Sequence, residues 1–216
     1  MLLVQPEAGQ LERALRAAQS GDVSAFNVLV RLYQRQVFNV CYRTLGKPDD
    51  AADATQDALL SAFRGLKSFA GPPAGLRAWL LRIAVNTCYD HLRRRQRRPA
   101  ESLEALHLDE SASDHEVGSA AERVADPAPG PEQRSLSAET ARHIQEAIDR
   151  LAPDQRLTVV LCDVQGLSYE EVAAAMSVEL GTVKSRLSRA RAQLRDVLAA
   201  KGELPASSQR LQHRHP

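Results

Sequence analysis

Between residues 99 and 135 the apolar residues of this chain lose the regular spacing that they keep on either side. Proline, serine, glycine and acidic residues take their place, as in DPAPGPEQ, and a segment of that composition buries too little apolar surface to fold compactly. Before and after it, apolar residues recur at the three- and four-residue steps of amphipathic helices. The sequence therefore predicts an all-α protein with two small helical domains, at residues 22–98 and 137–200, joined by a flexible linker at residues 99–136.

Four helices are predicted ahead of the linker. They cover roughly residues 11–19, 25–45, 50–66 and 77–98. The third is expected to bury Ala54, Ala58, Leu59, Ala62 and Phe63. Asp50, Asp53 and Asp57 follow one another at i, i+3 and i+7, which gives this helix an acidic stripe on another face.

The formal net charge is only +1, but the charges are unevenly distributed. Residues 77–98 carry seven arginines against one aspartate, and residues 184–195 carry five lysines and arginines and no acid. Residues 101–133 carry nine acids against one arginine. Two basic segments are therefore separated by an acidic stretch, a layout that the near-neutral total conceals.

Cys41, Cys88 and Cys162 are far apart and lack the spacing of a zinc or redox motif, so we expect buried, reduced thiols. The sequence offers no catalytic set of His, Asp and Ser or of Cys and His, and no glycine-rich phosphate loop. It therefore predicts no enzymatic centre, cofactor, metal or small-molecule substrate. Since it also lacks about 20 consecutive apolar residues, neither export nor a membrane span is expected, and the predicted location is the cytoplasm.

Residues 166–191, GLSYEEVAAAMSVELGTVKSRLSRAR, predict two helices joined by a tight turn. Ser168 and Glu171 have the spacing of a capping box, which places a helix start at about residue 169. Thr182 is the predicted cap of the second helix. We expect that helix to bury Val183, Leu187, Ala190 and Leu194.

The exposed face of the second helix is then basic and small-polar. Its outward residues are Lys184, Ser185, Ser188 and Arg189, with Arg186 and Arg191 at the flanks. Such a face is typical of a helix-turn-helix whose second helix reads base edges in the major groove while cations hold phosphates. An amphipathic helix with a solvated basic face is the alternative, but such a helix usually mixes both signs of charge, and no acid occurs here.

Residues 22–98 and 137–197 resemble the extracytoplasmic-function (ECF) sigma factors, in the sigma-E-like subgroup of the sigma-70 family. GLSYEEVAAAM…GTVKSRLSRAR is similar to region 4 of that family, and DAADATQDALLSAFRGLKSF and AWLLRIAVNTCYDHLRRRQRR are similar to region 2. The resemblance implies an alternative sigma factor of bacterial RNA polymerase. Such a protein binds the core enzyme and directs promoter-specific transcription initiation, often in a stress response.

Region 4 in this family reads the minus-35 promoter element. The resemblance assigns this role to Lys184, Ser185, Arg186, Ser188, Arg189 and Arg191. Arg189 is then the principal specificity residue, and Arg186 and Arg191 are phosphate partners. The turn Ser177-Val178-Glu179 departs from the family, which often has Gly or Asp and then Pro there, so the turn geometry is expected to differ slightly.

Region 2 in this family binds the β′ clamp helices of core RNA polymerase, while region 4 binds the β flap. Asp53, Gln56 and Asp57 match the clamp contact, although a solvated acidic face is the alternative from spacing alone.

Region 2 in this family also recognises and melts the minus-10 element. Asn86 matches a base-contacting position there, and the cations suited to the phosphates are Arg93, Arg94, Arg95, Arg97 and Arg98.

The loop SFAGPPAGLRAWL departs from the family pattern. It carries two prolines, and Leu76 stands where an aromatic residue is frequent. The identity of the captured minus-10 base therefore stays open. Trp79 is expected in the core rather than as a stacking platform.

The acidic linker takes the place of a folded region 3. Family linkers of this kind thread toward the active-site cleft and the RNA exit channel, and a plain spacer is the alternative here. The family also implies an anti-sigma factor as a further partner, and such a partner is often membrane-bound, so sequestration of the chain at the membrane is the alternative to a free cytoplasmic location. Two rival classes stay open: a dimeric helix-turn-helix regulator with residues 1–98 as a sensor domain, and an adaptor whose basic faces bind an acidic protein.

Overall fold

The computed structural model describes the backbone of residues 8–97 and 131–200 and the side chains of residues 9–95 and 139–200. Residues 99–130 of the predicted linker and the side chains of Arg97 and Arg98 lie outside these ranges. The last six residues of the predicted linker, 131–136, are helical, so the helical part of the second half begins before the predicted boundary at residue 137. Every regular element in the described part is helical, as the sequence predicts.

The described residues 8–97 form four helices, which make up the first half of the structure. They are α1 (Ala8–Gln19), α2 (Val23–Leu45), α3 (Pro48–Gly65) and α4 (Leu76–Arg97). Asp22 caps α2 by accepting hydrogen bonds from two backbone N–H groups, and Gly46 ends it at a φ of 80°. Short 3₁₀ turns at Leu66–Ser68 and Pro73–Gly75 connect α3 to α4.

The described residues 131–200, the second half of the structure, form four further helices. They are α5 (Pro131–Asp149), α6 (Pro153–Val159), α7 (Tyr169–Met176) and α8 (Leu180–Ala200), with a π-helical turn at Val160–Val164 after α6. The capping box predicts the start of α7 correctly. The predicted cap at Thr182 is wrong, because α8 begins at Leu180 and the Thr182 N–H already donates to the Glu179 carbonyl at 3.0 Å.

A small apolar cluster holds α1 against the rest of the first half. Its fully or nearly fully buried members are Leu15, Ala18, Phe26, Leu29, Ala62, Leu66, Leu76 and Leu80. The ring of Trp79 packs on this cluster, 5.2 Å from that of Phe69, as expected for a core residue. Phe63 is an exception to the predicted stripe, because it is 40% exposed on the outer side of α3.

A larger apolar cluster runs through both halves of the chain. From the first half it takes α2, α3 and α4 residues such as Val37, Ala54 and Val85, and from the second half residues such as Leu157 and Leu187. The predicted face of α4 is confirmed here: Leu81, Val85 and Cys88 are buried and Leu92 packs against the cluster. The two halves are therefore packed on one another, a contact that the sequence pattern does not predict.

The turn between α7 and α8 places a non-glycine residue in the left-handed region. Ser177 has φ 55° and ψ 46°, and its N–H donates to the Ala174 carbonyl. A side chain with a Cβ is strained in this conformation, which glycine adopts freely. The departure from the family's turn sequence therefore has a cost that is local to Ser177.

Replacing Ser177 with glycine is expected to stabilise the fold by about 0.5–1 kcal/mol, because it removes this strain. Urea unfolding followed by circular dichroism measures the change. Ser61→Gly is the matched control, since Ser61 is exposed in the interior of α3, where glycine costs up to about 0.5 kcal/mol. Destabilisation by both substitutions would contradict the left-handed turn.

Candidate nucleic-acid interface

The α7–turn–α8 unit is held in place by its cap and its buried stripe. The Ser168 hydroxyl accepts a hydrogen bond from the Glu171 N–H at 3.2 Å, and the Glu171 carboxylate accepts one from the Ser168 N–H at 2.8 Å. In α8 the predicted stripe is confirmed: Val183, Leu187 and Ala190 are buried and Leu194 is half-buried. The opposite face of α8 therefore points away from the core.

Three of the six residues assigned to minus-35 reading lie on this outer face. Lys184, Ser188 and Arg189 are exposed. Ser185 is half-buried, and its hydroxyl donates to the Thr182 carbonyl at 3.0 Å. The exposed face thus combines two cations with a small hydroxyl, the groups that hydrogen-bond base edges and phosphates.

The remaining two arginines are bound to carboxylates of α6 and of the π-helical turn that follows it. The Arg186 side chain is 21% exposed and forms an ion pair with Asp154. Arg191 binds Asp163 through two nitrogens, at 2.6 and 3.1 Å, and this pairing raises the pKa of the Arg191 guanidinium. Sequence reading placed both arginines at the flanks of the basic face, but the acids that hold them lie 32 and 28 residues away and could not be paired with them by spacing.

The predicted minus-10 residues are exposed on α4, where Asn86 and Arg93 share one face and Arg95 lies on the opposite side. Asn86 is exposed, and so are Arg93, Arg94 and Arg95 toward the C-terminal end. Arg94 and Arg95 border a cleft of about 460 Å³ that Lys47, Asp50 and His91 also line. An amide and a series of cations therefore follow one another along one helix, an arrangement that suits a base edge with its backbone phosphates.

Local side-chain packing holds the loop before α4 in place. Leu76 is fully buried, which explains why an aliphatic residue is tolerated at this position. At Gly71 a side chain would have no room, since a Cβ there would lie 2.7 Å from the Phe69 ring.

Asp53, Gln56 and Asp57, the predicted polymerase contacts, are exposed on α3. Asp57 lies 3.1 Å from the His91 Nε2 of α4. Gln56 also borders an apolar groove of about 510 Å³ between α2 and α3, which sequence reading missed. The groove is lined mainly by Val23, Phe26, Val30, Phe38, Leu59, Leu60 and Phe63.

The sequence carried a signal for this groove. Leu60 and Phe63 follow Gln56 at the helical spacing i+4 and i+7, next to the predicted buried stripe. In the structure Leu60 is 47% exposed, so the apolar surface of α3 is wider than one buried stripe. An exposed apolar surface beside an acidic one is a common mark of a protein-binding site.

Polar contacts join α4 to the second half of the chain. The Tyr89 hydroxyl donates to Asp154 Oδ1 at 2.7 Å. Burial and the Asp154 carboxylate raise the pKa of Tyr89, so its hydroxyl stays a donor at neutral pH. Arg77 donates to Gln36 Oε1 at 2.6 Å and to the Gln165 carbonyl. These contacts were not predicted, because each joins residues that are distant in the sequence.

The three cysteines are free and buried, as predicted. Burial and the neighbouring Asp163 raise the pKa of Cys162 to about 11. Among the side chains that the structure describes, none form a group of three His, Cys, Asp or Glu suited to a metal ion. No helix in the described ranges combines the length and apolarity that crossing a membrane requires.

Two family models match the chain. The model described as sigma-70 region 2 matches residues 29–98, and the model described as sigma-70, region 4 matches residues 141–194. The first therefore includes α3 and α4, and the second includes α7 and most of α8.

Curated relatives match most of the chain. The ECF RNA polymerase sigma factor SigM of Mycobacterium tuberculosis is 40% identical, over 85% of this chain and 82% of its own length. The ECF RNA polymerase sigma-E factor of Escherichia coli is 39% identical, over 80% and 86%. SigE of Mycolicibacterium smegmatis is 38% identical, over 88% and 68%.

Two solved structures are similar to the whole fold. CnrH, in complex with the cytosolic domain of CnrY, has a TM-score of 0.59 and 25% identity, over 90% of this chain and 99% of that chain. The sigma factor RpoE of Bartonella quintana, in complex with the anti-sigma factor NepR, has a TM-score of 0.59 and 29% identity, over 82% and 98%.

Proposed function

Because this chain belongs to the ECF sigma factors of RNA polymerase, we propose that its exposed faces divide promoter reading and polymerase binding among α8, α4 and α3. As an alternative sigma factor it directs transcription initiation, with core RNA polymerase and promoter DNA as its partners. The observation that carries the proposed division is the geometry of α8. Its apolar stripe is buried, and its outer face presents Lys184, Ser188 and Arg189 to solvent.

In this proposal α8 enters the major groove of the minus-35 element. Arg189 reads a base edge, and Lys184, Ser185 and Ser188 make the adjacent base and phosphate contacts. A guanidinium carries five N–H donors, so Arg186 and Arg191 keep donors for phosphates while they remain bound to Asp154 and Asp163. The two ion pairs also fix the positions of those N–H donors relative to the DNA major groove.

In this proposal the exposed side chains of α4 read the minus-10 element. Asn86 hydrogen-bonds an exposed base, and Arg93, Arg94 and Arg95, followed by Arg97 and Arg98, hold the phosphates of the opened strand. The support for this assignment is that Asn86 and the three described arginines are exposed on the same helix. The helix is rigid because its other side is buried in the core, which keeps the amide in position.

The α3 face binds the β′ clamp helices of the polymerase. Asp53, Gln56 and Asp57 supply polar and acidic contacts, and the adjoining α2–α3 groove supplies apolar area for a helical partner. The same kind of surface suits an anti-sigma factor, the class of partner seen in the solved RpoE complex. We also propose that region 4 contacts the β flap, and that residues 137–200 form the unit that does so.

The proposed surfaces require no catalytic residues in this chain. The chain positions DNA, and the polymerase forms the phosphodiester bonds; no cofactor or small-molecule substrate takes part. The proposed place of action is the cytoplasm, where core polymerase and promoter DNA are found together.

Run-off transcription tests the function directly. Core polymerase alone and core polymerase with the purified chain are compared on a library of promoters, and the proposal expects new start sites only with the chain. Operator binding by the chain without polymerase would favour the dimeric regulator instead. Failure both to bind core polymerase and to fire any promoter would refute the sigma-factor assignment.

Arg189→Ala is expected to weaken holoenzyme binding to its promoter by about 5- to 150-fold, the equivalent of about 1–3 kcal/mol for one base contact. The loss should disappear on a promoter in which the contacted minus-35 base pair is changed. Fluorescence anisotropy of labelled promoter measures both values. Arg13→Ala, which removes an exposed arginine from α1, serves as the control. A loss that is the same on every minus-35 sequence would assign Arg189 to a phosphate rather than a base.

Asn86→Ala is expected to impair promoter opening more than closed-complex formation, because the amide acts on a base that is exposed only after melting. Permanganate footprinting reports opening, and a mobility shift at low temperature reports the closed complex. Asn27→Ala in α2 removes another exposed amide and should change neither. Equal loss of both steps would argue against a role in base capture.

A further inference from the structure

One glutamine side chain joins α1 to the loop between α3 and α4. Gln19 is the last residue of α1, and its Nε2 donates to the Phe69 carbonyl at 2.7 Å and to the Leu66 carbonyl at 3.3 Å. Only the NH₂ group of a carboxamide donates, so two carbonyl partners fix which end of the amide faces the loop. The bonds join positions 50 and 47 residues apart and hold the first residue of a 3₁₀ turn together with the residue that follows the turn.

The end of α1 that carries Gln19 is anchored by apolar packing. Leu15 and Ala18, four residues and one residue before Gln19, are buried. They belong to one apolar cluster with Leu66 and Leu76, which stand at the two ends of the loop. The amide of Gln19 therefore extends from a fixed helix end, and its two hydrogen bonds restrain the loop rather than the helix.

Phe69 passes this restraint to the rest of the loop. Its ring lies 5.2 Å from the Trp79 ring of α4, measured between the ring centroids. On the other side, a Cβ at Gly71 would come within 2.7 Å of the same Phe69 ring. A shift of the Phe69 backbone would therefore move the ring away from Trp79 and displace the neighbouring residues of the loop.

The loop borders the face of α4 that carries Asn86. Trp79 and Asn86 are seven residues apart on this helix, so they share one face and lie about 10 Å from each other along the helix axis. Ala70 and Gly71, which follow Phe69, are exposed. A base held at Asn86 therefore has the loop as its neighbour toward the start of α4.

We propose that Gln19 is a positioning residue for minus-10 recognition: by holding Phe69 it sets the shape of the loop at residues 66–76, and that shape decides which base fits beside Asn86. The proposal rests on the minus-10 role proposed above for α4. Selection of an unstacked base depends on the shape of the space that receives it, so a displaced loop changes the preference.

Gln19 acts in this proposal without touching DNA. Its side chain is half-buried, and its amide is directed at the backbone of the loop. The proposal also gives α1 a part in promoter reading, although this helix precedes residues 29–98, the part of the chain that matches region 2.

The fluorescence of Trp79 tests the position of the loop in the free chain, because Trp79 is the only tryptophan in the sequence. Gln19→Met keeps the length of the side chain and removes both donors. It should raise the acrylamide quenching constant of Trp79, since Phe69 then packs less firmly on the indole ring. Gln19→Lys should restore the wild-type constant, because an ammonium group can donate to both carbonyls. Gln10→Met, at an exposed glutamine of the same helix, is the matched control and should change nothing.

Transcription from a promoter library tests the effect on base preference. Core polymerase with the wild-type chain or with Gln19→Met is supplied with templates that carry every base at each minus-10 position. Gln19→Met should lower the ratio between the preferred base and the next by about 2- to 10-fold, the range expected when hydrogen bonds of this kind are lost. The minus-35 preference should stay unchanged, because α8 sets it. Loss of folded chain alone would lower transcription from every template equally and leave both ratios unchanged.

The positioning role is overturned if Gln19→Met leaves the quenching of Trp79 unchanged, or if quenching rises while the minus-10 preference stays at its wild-type value. It is also overturned if the preference falls by the same factor at both promoter elements. A wild-type chain that starts no transcription with core polymerase would refute the proposed function, whereas Trp79 quenching in the free chain decides the contact between Gln19 and the loop without a promoter. The two proposals can therefore fail separately.

Discussion

The apolar cluster shared by α4 and the second half of the chain is the constraint on which the rest of the structure depends. α6 and α7 are only seven and eight residues long, and helices of that length are unstable in isolation. They persist because residues such as Leu157 and Val172 are fully buried, and burial of one such side chain contributes about 1.5–3 kcal/mol. The helix-turn-helix is therefore stable as a packed unit.

The helix α4 takes part in this packing and in the proposed site at the same time. Val85 and Cys88 are buried in the shared cluster, Tyr89 is at its margin, and Asn86 is exposed between them. Consecutive positions on one helix thus face the core, the other half of the chain and solvent. A change in how the two halves pack therefore alters the position of α4 and of Asn86, because the buried and the exposed side chains are attached to the same helical backbone.

Sequence periodicity predicted the features that depend on local spacing. The bounds of α2 to α4, the capping box at Ser168 and the buried stripe of α8 all follow from residues within a few positions of each other. Pairings such as Arg186 with Asp154 could not be predicted in this way, because the partners are brought together only by tertiary packing. The exposure of Phe63 was missed for the same reason: an apolar residue at helical spacing looks like core until its neighbours are known.

The carboxylates of Asp154 and Asp163 also set how the proposed minus-35 interface responds to salt. Each phosphate that a protein neutralises releases bound counterions, and this release makes affinity fall as ionic strength rises. Because two arginines of α8 already have carboxylate partners, part of its positive potential is cancelled before DNA arrives. Binding through this helix therefore releases fewer counterions than its content of basic residues suggests, and its affinity falls less steeply as ionic strength rises.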